Sequence, residues 1–261
     1  MPDAGLEVAI AAARAGGDAL AATDRATLDV TLKDARVDMT TSADRASQAA
    51  AVDVIHSAFP AHPVVGEEGS VPGTDGRHTW YVDGLDGTSN FANGIPWYCV
   101  SVAVRAGDEV QAGAVYDPVH GHLFAGARGR GARLNGVHLR VAPVRELRRA
   151  VVATQIQTAD AARIAEFVGE LESLMNAAGG IRFMGAPALL LAHIAAGHLT
   201  AYCERAMAPW DISAGQLLVE EAGGRVTDRH GVRIASAAVT DIVASNGGIH
   251  EELLTVLGPS S

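Results

Sequence analysis

The chain has 261 residues, 48% of them hydrophobic and 19% charged, enough apolar material for a sizeable core and too much for a disordered protein. Twenty Lys and Arg against thirty Asp and Glu leave a net charge of −10, and the short basic runs 128–133 and 145–149 lack interleaved aromatics, which disfavours a nucleic-acid partner. Cys99 and Cys203 sit in no metal-ligand spacing, Asp3 and Glu7 stand where an export signal needs basic residues, and no stretch reaches the roughly 18 uncharged residues of a membrane span, so a soluble cytoplasmic protein is expected. Leu6, Ile10, Ala13 and Leu20 predict an amphipathic helix that ends before Thr23, and 27–33 alternates like a strand. Ser42 is placed to cap a second helix, which Pro60 ends, and 63–66 reads as a short strand. From Thr79 strands dominate: 80–82 leads into a polar turn, 98–105 and 110–116 make a hairpin about Gly107-Asp108, and Asn135-Gly136 marks another turn. Beyond 141–144 the pattern becomes strand 150–153, helices 160–178 and 187–196, strand 199–203, helix 211–221, strands near 225 and 242, and a last helix over 248–256. A helix pair with an antiparallel sheet (1–143) is thus followed by an α/β half (144–261), and the join is too short for independent motion, which predicts one compact unit.

The common nucleotide, zinc-protease and serine-hydrolase motifs are missing, and the ten histidines are scattered. The one close pair, His120-Gly121-His122, falls at a predicted hairpin turn and reads as a solvated turn rather than a ligand site. The informative stretch is Asp83-Gly84-Leu85-Asp86-Gly87-Thr88. An apolar strand delivers Asp83, and a short turn would bring Asp86 back beside it, so that two carboxylates and the Leu85 carbonyl converge as hard oxygen donors suited to Mg²⁺. Gly87 and Thr88 follow at a possible helix start, where backbone N–H groups suit a phosphate; an ordinary Asp-Gly turn explains the same residues equally well. Glu67-Glu68 ends another short strand with no basic neighbour, and Asp211 opens a helix, where plain N-capping is the alternative to metal ligation.

Four motifs in order then resemble the inositol monophosphatase family of Mg²⁺-dependent, lithium-sensitive phosphatases: 37–44, with Asp38 and Asp44; Gly66-Glu67-Glu68; 83–91; and Trp210-Asp211-Ile212-Ser213-Ala214-Gly215 with 220–224 after it. The resemblance spans nearly the whole chain. It implies a layered αβαβα sandwich of the sugar-phosphatase type, paired as a homodimer, with two or three Mg²⁺ ions between the halves. Glu67, Asp83 and the Leu85 carbonyl resemble the ligands of one ion, and Asp83, Asp86 and Asp211 those of a second, with Glu67 helping to hold a third. Thr88 and Asp38 resemble the pair that activates the attacking water. Asp86, Gly87, Thr88, Gly185, Pro187 and Glu204 fall where the family contacts substrate.

Three positions depart from the family pattern. Gly84 replaces a proline and is expected to loosen the metal-bearing turn; Gln48 stands where a glutamate is frequent; Pro187 lacks an amide donor for a substrate hydroxyl, which argues against strict inositol selectivity. The expected activity is hydrolysis of a small polyol or sugar phosphate. The alternatives are the same chemistry on a nucleotide, histidinol phosphate or specialised-metabolism phosphate, or a regulatory member acting through a protein or RNA partner.

Overall fold

Alanine-rich segments with apolar residues at helical spacing form the outer layer of the first half. The structure, a computed structural model, describes residues 2–32, 39–235 and 238–258. Helix α1 (Pro2–Ala21) packs against α2 (Ser42–Ala58), with the two-stranded ribbon β1 (Val30–Leu32) and β2 (Met39–Thr41) between them in sequence. The cap of α2 is Thr41 rather than Ser42. Its hydroxyl accepts the Ala43 N–H, while the Asp44 carboxylate accepts the Thr41 N–H, a reciprocal capping box that satisfies two otherwise orphaned donors.

The first sheet contains β3 (Val64–Gly66), β4 (Gly69–Val71), β5 (His78–Asp86), β6 (Cys99–Ala106), β7 (Glu109–Asp117), β8 (His122–Ala127), β9 (Ala132–Leu134) and β10 (Val137–His138), with α3 (Thr88–Ala92) between β5 and β6. Its order is β10-β9-β8-β7-β6-β5-β3-β4, antiparallel except where β3 meets β5. The second half runs β11 (Val151–Thr154), α4 (Ala161–Ala177), β12 (Gly180–Arg182), α5 (Pro187–Ala195), β13 (Ala201–Met207), α6 (Pro209–Glu221), β14 (Arg225–Thr227), β15 (Thr240–Ser245) and α7 (His250–Leu257), with a second sheet ordered β12-β11-β13-β15-β14.

Hydrophobicity decides which helices go where. Eight of the nine residues of α5 are buried, and a helix apolar around its whole circumference must be covered on every side. It pairs with α6 between the two sheets, in the main core with Val115, Phe124, Tyr202 and Ile242. The one-sided helices α1 and α2 cover the far face of the first sheet around Trp80, Val82 and Val102, while α4 and α7 cover the far face of the second through Leu174, Leu253 and Leu257. The result is an αβαβα sandwich.

Three of the boundaries that differ from the sequence expectation bear on the cavity, and the strand expected over 27–33 begins only at Val30, after a short 3-10 turn at Arg25–Thr27. Strand β5 continues through Asp86 instead of ending in a turn; β13 runs on to Met207, past the predicted end at Cys203; and α6 starts at Pro209, so that Asp211 is its third residue and not its cap. Proline at the first helical position loses no hydrogen bond there, which is why Pro209 and, in α5, Pro187 open helices.

His250, fully buried at the start of α7, ties that helix to the second sheet. Thr227 spends its hydroxyl proton on the Asp228 carbonyl, so its oxygen accepts from His250 Nε2 at 2.9 Å, and Ser245 donates to Nδ1 at 2.8 Å. The site therefore fits only the neutral ring. Burial, with Arg225 nearby, pushes the imidazole down to about 4. A group depressed below its unfolded value of about 6.5 contributes stability above that pH and loses it as pH falls toward the folded value, roughly 3 kcal/mol in all. Denaturant unfolding of wild type and His250→Gln from about pH 7.5 down to about pH 4 should show the difference between the two proteins shrinking through that window; a constant difference would refute the assignment.

Candidate active site

The central feature is a defect in a strand. In a regular strand, side chains three residues apart point to opposite faces. Between Asp83, opposite Ser101, and Asp86, opposite Cys99, β5 carries one more residue than β6. This bulge turns the two aspartates into the same site. Both are buried, at 2% and 4% exposure. The Leu85 N–H donates to Asp83 Oδ1 at 2.9 Å, and the Ala188 N–H, in the first turn of α5, donates to Asp86 Oδ2 at 2.7 Å.

Glu67 follows β3 beside them, and Asp211 reaches in from α6, held by the Ala208 N–H on Oδ2 at 3.0 Å. Burial pushes the Asp83 carboxyl well above the ordinary range, and the neighbouring charges of Glu67, Asp86 and Asp211 push it further. Asp86 is raised by burial and by Asp211. Four carboxylates crowded in a low-dielectric place favour either protons or a cation, and with the Leu85 carbonyl they present only hard oxygen donors, the set that suits Mg²⁺.

The bulge is held from behind by α2. A Cβ on Gly84 would lie 2.6 Å from Gln48 N and 2.8 Å from the Asp44 carbonyl, while Ser47 Oγ donates to the Gly84 carbonyl at 2.5 Å. Gly84 thus has a packing role beside its expected effect on the turn: without a side chain, it lets the strand sit against the helix. Gln48 also has a specific task, since its amide donates to the Gly69 carbonyl and accepts from the Glu68 N–H, both at 3.0 Å. A glutamate carboxylate could not do the first.

Thr88, the first residue of α3, donates to Asp44 Oδ1 at 2.7 Å; the Leu85 carbonyl lies 3.1 Å away. Asp38, the expected partner, lies outside the described residues, and the carboxylate that engages Thr88 is Asp44. Three residues beyond the Thr41 cap, it serves the cap through Oδ2 and Thr88 through Oδ1. The capping-box spacing in the same motif was the signal that pointed to Asp44. Burial raises the Asp44 carboxyl against the opposing pull of its Thr41 and Thr88 hydrogen bonds.

These groups line a cavity of about 340 Å³. Gly87, Thr88, Gly185, Pro187 and Glu204 all border it. Gly185 and Ala186 take left-handed conformations (φ 71° and 55°) to turn the chain into α5, and Asn90 fastens that turn by donating to the Met184 and Trp97 carbonyls, both at 2.8 Å. Pro187 has no N–H to offer; the first amide of α5 that is used, Ala188, is spent on Asp86. Glu204 is 8% exposed, accepts the Tyr202 hydroxyl and a Gln155 hydrogen bond, and is pushed up by burial to about 8. The outer wall, unforeseen from sequence, is Glu170 with Arg205 and the buried Arg229, whose Nη2 lies 2.5 Å from Glu170 Oε2.

An αβαβα sandwich with a carboxylate-lined cavity between its halves, and a threonine–aspartate pair at its edge, defines a phosphatase fold of the metal-dependent sugar-phosphatase class. The inositol monophosphatase family model matches residues 1–259, and the chain belongs to that family. It is 36% identical to Nus factor SuhB of Pasteurella multocida strain Pm70, covering 97% of this chain and 96% of that protein. The solved inositol monophosphatase of Anabaena sp. PCC 7120 is 34% identical with a TM-score of 0.84, over 97% of this chain and 94% of that one. An IMPase/NADP phosphatase solved with Mg²⁺ and phosphate is 26% identical with a TM-score of 0.80, over 90% and 88%.

The packing at Gly84 gives a direct test. Gly84→Ala should destabilise the protein by about 1–3 kcal/mol, because the helix backbone it meets cannot move aside. Urea unfolding should report the loss, and an unchanged midpoint would contradict the packing argument.

Proposed function

We propose that this protein is a Mg²⁺-dependent phosphomonoesterase that hydrolyses a small polyol or sugar phosphate with water as the nucleophile. The observation that carries the reading is the convergence of Glu67, Asp83, Asp86 and Asp211 on one cavity beside the Thr88–Asp44 pair. Glu67, Asp83 and the Leu85 carbonyl would hold one ion, and Asp83, Asp86 and Asp211 another. When bound, Mg²⁺ supplies positive charge to the phosphate oxygens, acidifies water and stabilises the departing alkoxide. The ions also account for a chain of net charge −10 accepting a dianion.

The protein's own part begins at Thr88. Its single hydroxyl proton is committed to Asp44, which leaves the oxygen lone pairs to accept a hydrogen bond from the attacking water and aim it at phosphorus. As the water attacks, its proton passes to Thr88 and the threonine proton to Asp44, while the phosphorus–alcohol bond breaks. Glu204, protonated near neutral pH, both donates to and accepts from hydroxyls of the leaving alcohol. Pro187 supplies no such donor, so hydroxyl-bearing monoesters other than inositol phosphates should be hydrolysed at least comparably.

Phosphate release from a panel of monoesters tests the reading. EDTA-treated protein and Asp83→Asn should be inactive, with Mg²⁺ restoring only the former; full turnover after chelation would sink the metal mechanism. Thr88→Ala should lower kcat by about 10² or more with little change in KM, while Thr88→Ser keeps much of the activity. Equal damage from both would assign Thr88 to packing. Glu204→Ala should raise KM for polyol phosphates about tenfold yet spare p-nitrophenyl phosphate, which has no hydroxyls; equal losses on both would remove Glu204 from the specificity pocket.

A second reading, a regulatory protein working through a macromolecular partner, is carried by the name Nus factor given to the P. multocida relative. The two separate on Asp83→Asn. A cellular phenotype of gene deletion that this variant still rescues requires the regulatory reading, and one it cannot rescue requires turnover.

A further inference from the structure

Two histidine–aspartate groups stand outside the carboxylate site, and their hydrogen bonds divide them. In the first, His62, Asp75 and His78, the indole of Trp80 donates to His62 Nδ1 at 3.1 Å. An indole N–H can only donate, so the His62 proton sits on Nε2, where it is given to Asp75 Oδ2 at 2.9 Å; His78 Nδ1 meets the same oxygen at 2.8 Å. A metal on His62 Nε2 would need that nitrogen bare and the proton on Nδ1, facing the Trp80 donor. This group is a closed network that ties the end of α2 to β5.

The second group is open. Asp117, at the end of β7 and 1% exposed, accepts the Val119 and His120 N–H groups on Oδ1 at 2.9 and 3.1 Å, which fixes its carboxylate. Its Oδ2 faces His120 Nδ1 at 2.7 Å. His122, directly opposite Asp117 in the β7–β8 ladder, stacks its ring on His120 with centroids 5.6 Å apart. One donor atom from each of the three residues lies within 4.8 Å of the others. Among the described residues no donor is committed to the His122 ring nitrogens. The proton between His120 and Asp117 can move to His120 Nε2, which meets solvent because that side chain is 49% exposed. Behind them stands a third imidazole, His193 of α5, linked through Phe124, which lies 6.1 Å from the His122 ring and 5.4 Å from that of His193. His193 shares a proton with His198 across 2.9 Å, and its Nε2 is buried with no hydrogen-bond partner.

We propose that Asp117, His120 and His122 form a second metal site, one for a transition-metal dication of the Zn²⁺ type, separate from the carboxylate centre. Two imidazole nitrogens and one carboxylate oxygen with a face open to water are the donors Zn²⁺ takes in three-ligand sites, whereas Mg²⁺ prefers oxygen alone. The ion takes the place of the proton between Oδ2 and Nδ1. Donor atoms about 3.3 Å apart, as tetrahedral bonds of about 2.0–2.1 Å require, are reached by rotating the side chains of His120, on the turn, and His122, at the start of β8, while the Asp117 carboxylate stays anchored. His120-Gly121-His122 does lie at the predicted hairpin turn; what the sequence does not show is that Asp117, just before it, is buried and already oriented.

The test is Zn²⁺ titration of the full chain in saturating Mg²⁺ by calorimetry, with Co²⁺ absorption as the spectroscopic readout. Wild type should bind one equivalent and develop the intense visible bands of a tetrahedral Co²⁺ site. His120→Ala/His122→Ala should weaken binding by about tenfold or more and lose the bands. Asp83→Asn should keep both. The milder His122→Gln provides the same comparison should the double variant fail to fold. No stoichiometric Zn²⁺ binding in excess Mg²⁺, binding unaffected by the histidine substitutions, or binding lost in Asp83→Asn would each overturn the proposal.

Discussion

Like charges that must be buried together govern the architecture around the cavity. Asp83 and Asp86 are almost fully removed from water, Asp86 raises the proton affinity of Asp83, and Glu67 and Asp211 raise that of both. No chain folds such a cluster for its own stability, because every carboxylate brought in loses hydration and meets another. What the fold supplies is backbone N–H groups: Leu85 for Asp83, Ala188 for Asp86, Ala208 for Asp211. These donors come from a strand bulge and from the first turns of α5 and α6, where amides lack helical partners and are free to be spent. The arrangement fixes the oxygens in place and leaves the charge to be balanced by protons or a cation.

That constraint reaches outward through α2. The bulge in β5 lies within backbone distance of the helix behind it, where Gly84 leaves the room, and that helix is anchored by Thr41, Asp44 and Ser47. Asp44 joins two duties: it caps α2 and holds the Thr88 hydroxyl. The helix that supports the carboxylates thus also positions the proposed nucleophile's hydrogen-bond acceptor, and the two parts of the site move as one.

The long helices and the acidic motifs were legible in the sequence through local signals, whereas the layering and the grouping of those motifs into one site came from the resemblance to a family. Apolar periodicity located the long helices, turn residues located the β6–β7 hairpin, and Glu67, Asp83, Asp86, Thr88 and Asp211 all border one cavity. What stayed hidden was fixed by contacts between distant segments. A three-residue spacing of aspartates reads as a turn unless the pairing with β6 is known, since only the partner strand defines a bulge. Gly84 looks permissive until α2 is seen against it. Asp38 and Asp44 are both carboxylates in one motif, and it is Asp44 that the capping geometry of α2 turns toward Thr88. The short strands β4, β9, β10 and β12, of two or three residues, carry too little pattern to register.

The second half of the chain divides the labour. Bulge, capping box and α3 belong to the first half, whereas Glu204, Tyr202, Gln155 and the Glu170–Arg205–Arg229 wall come from the second sheet and α4. Among the described residues, Asp211 and the Ala188 amide reach the carboxylates from the second half, carried by the two helices that lie between the sheets. A substitution on the far wall therefore reaches what lies in the cavity without disturbing the bulge, whereas one in β5 or α2 disturbs the carboxylates whatever occupies the cavity. On the proposed function, this separation would let one carboxylate centre serve different phosphate esters, because the leaving alcohol would face a surface whose residues take no part in holding the charges together.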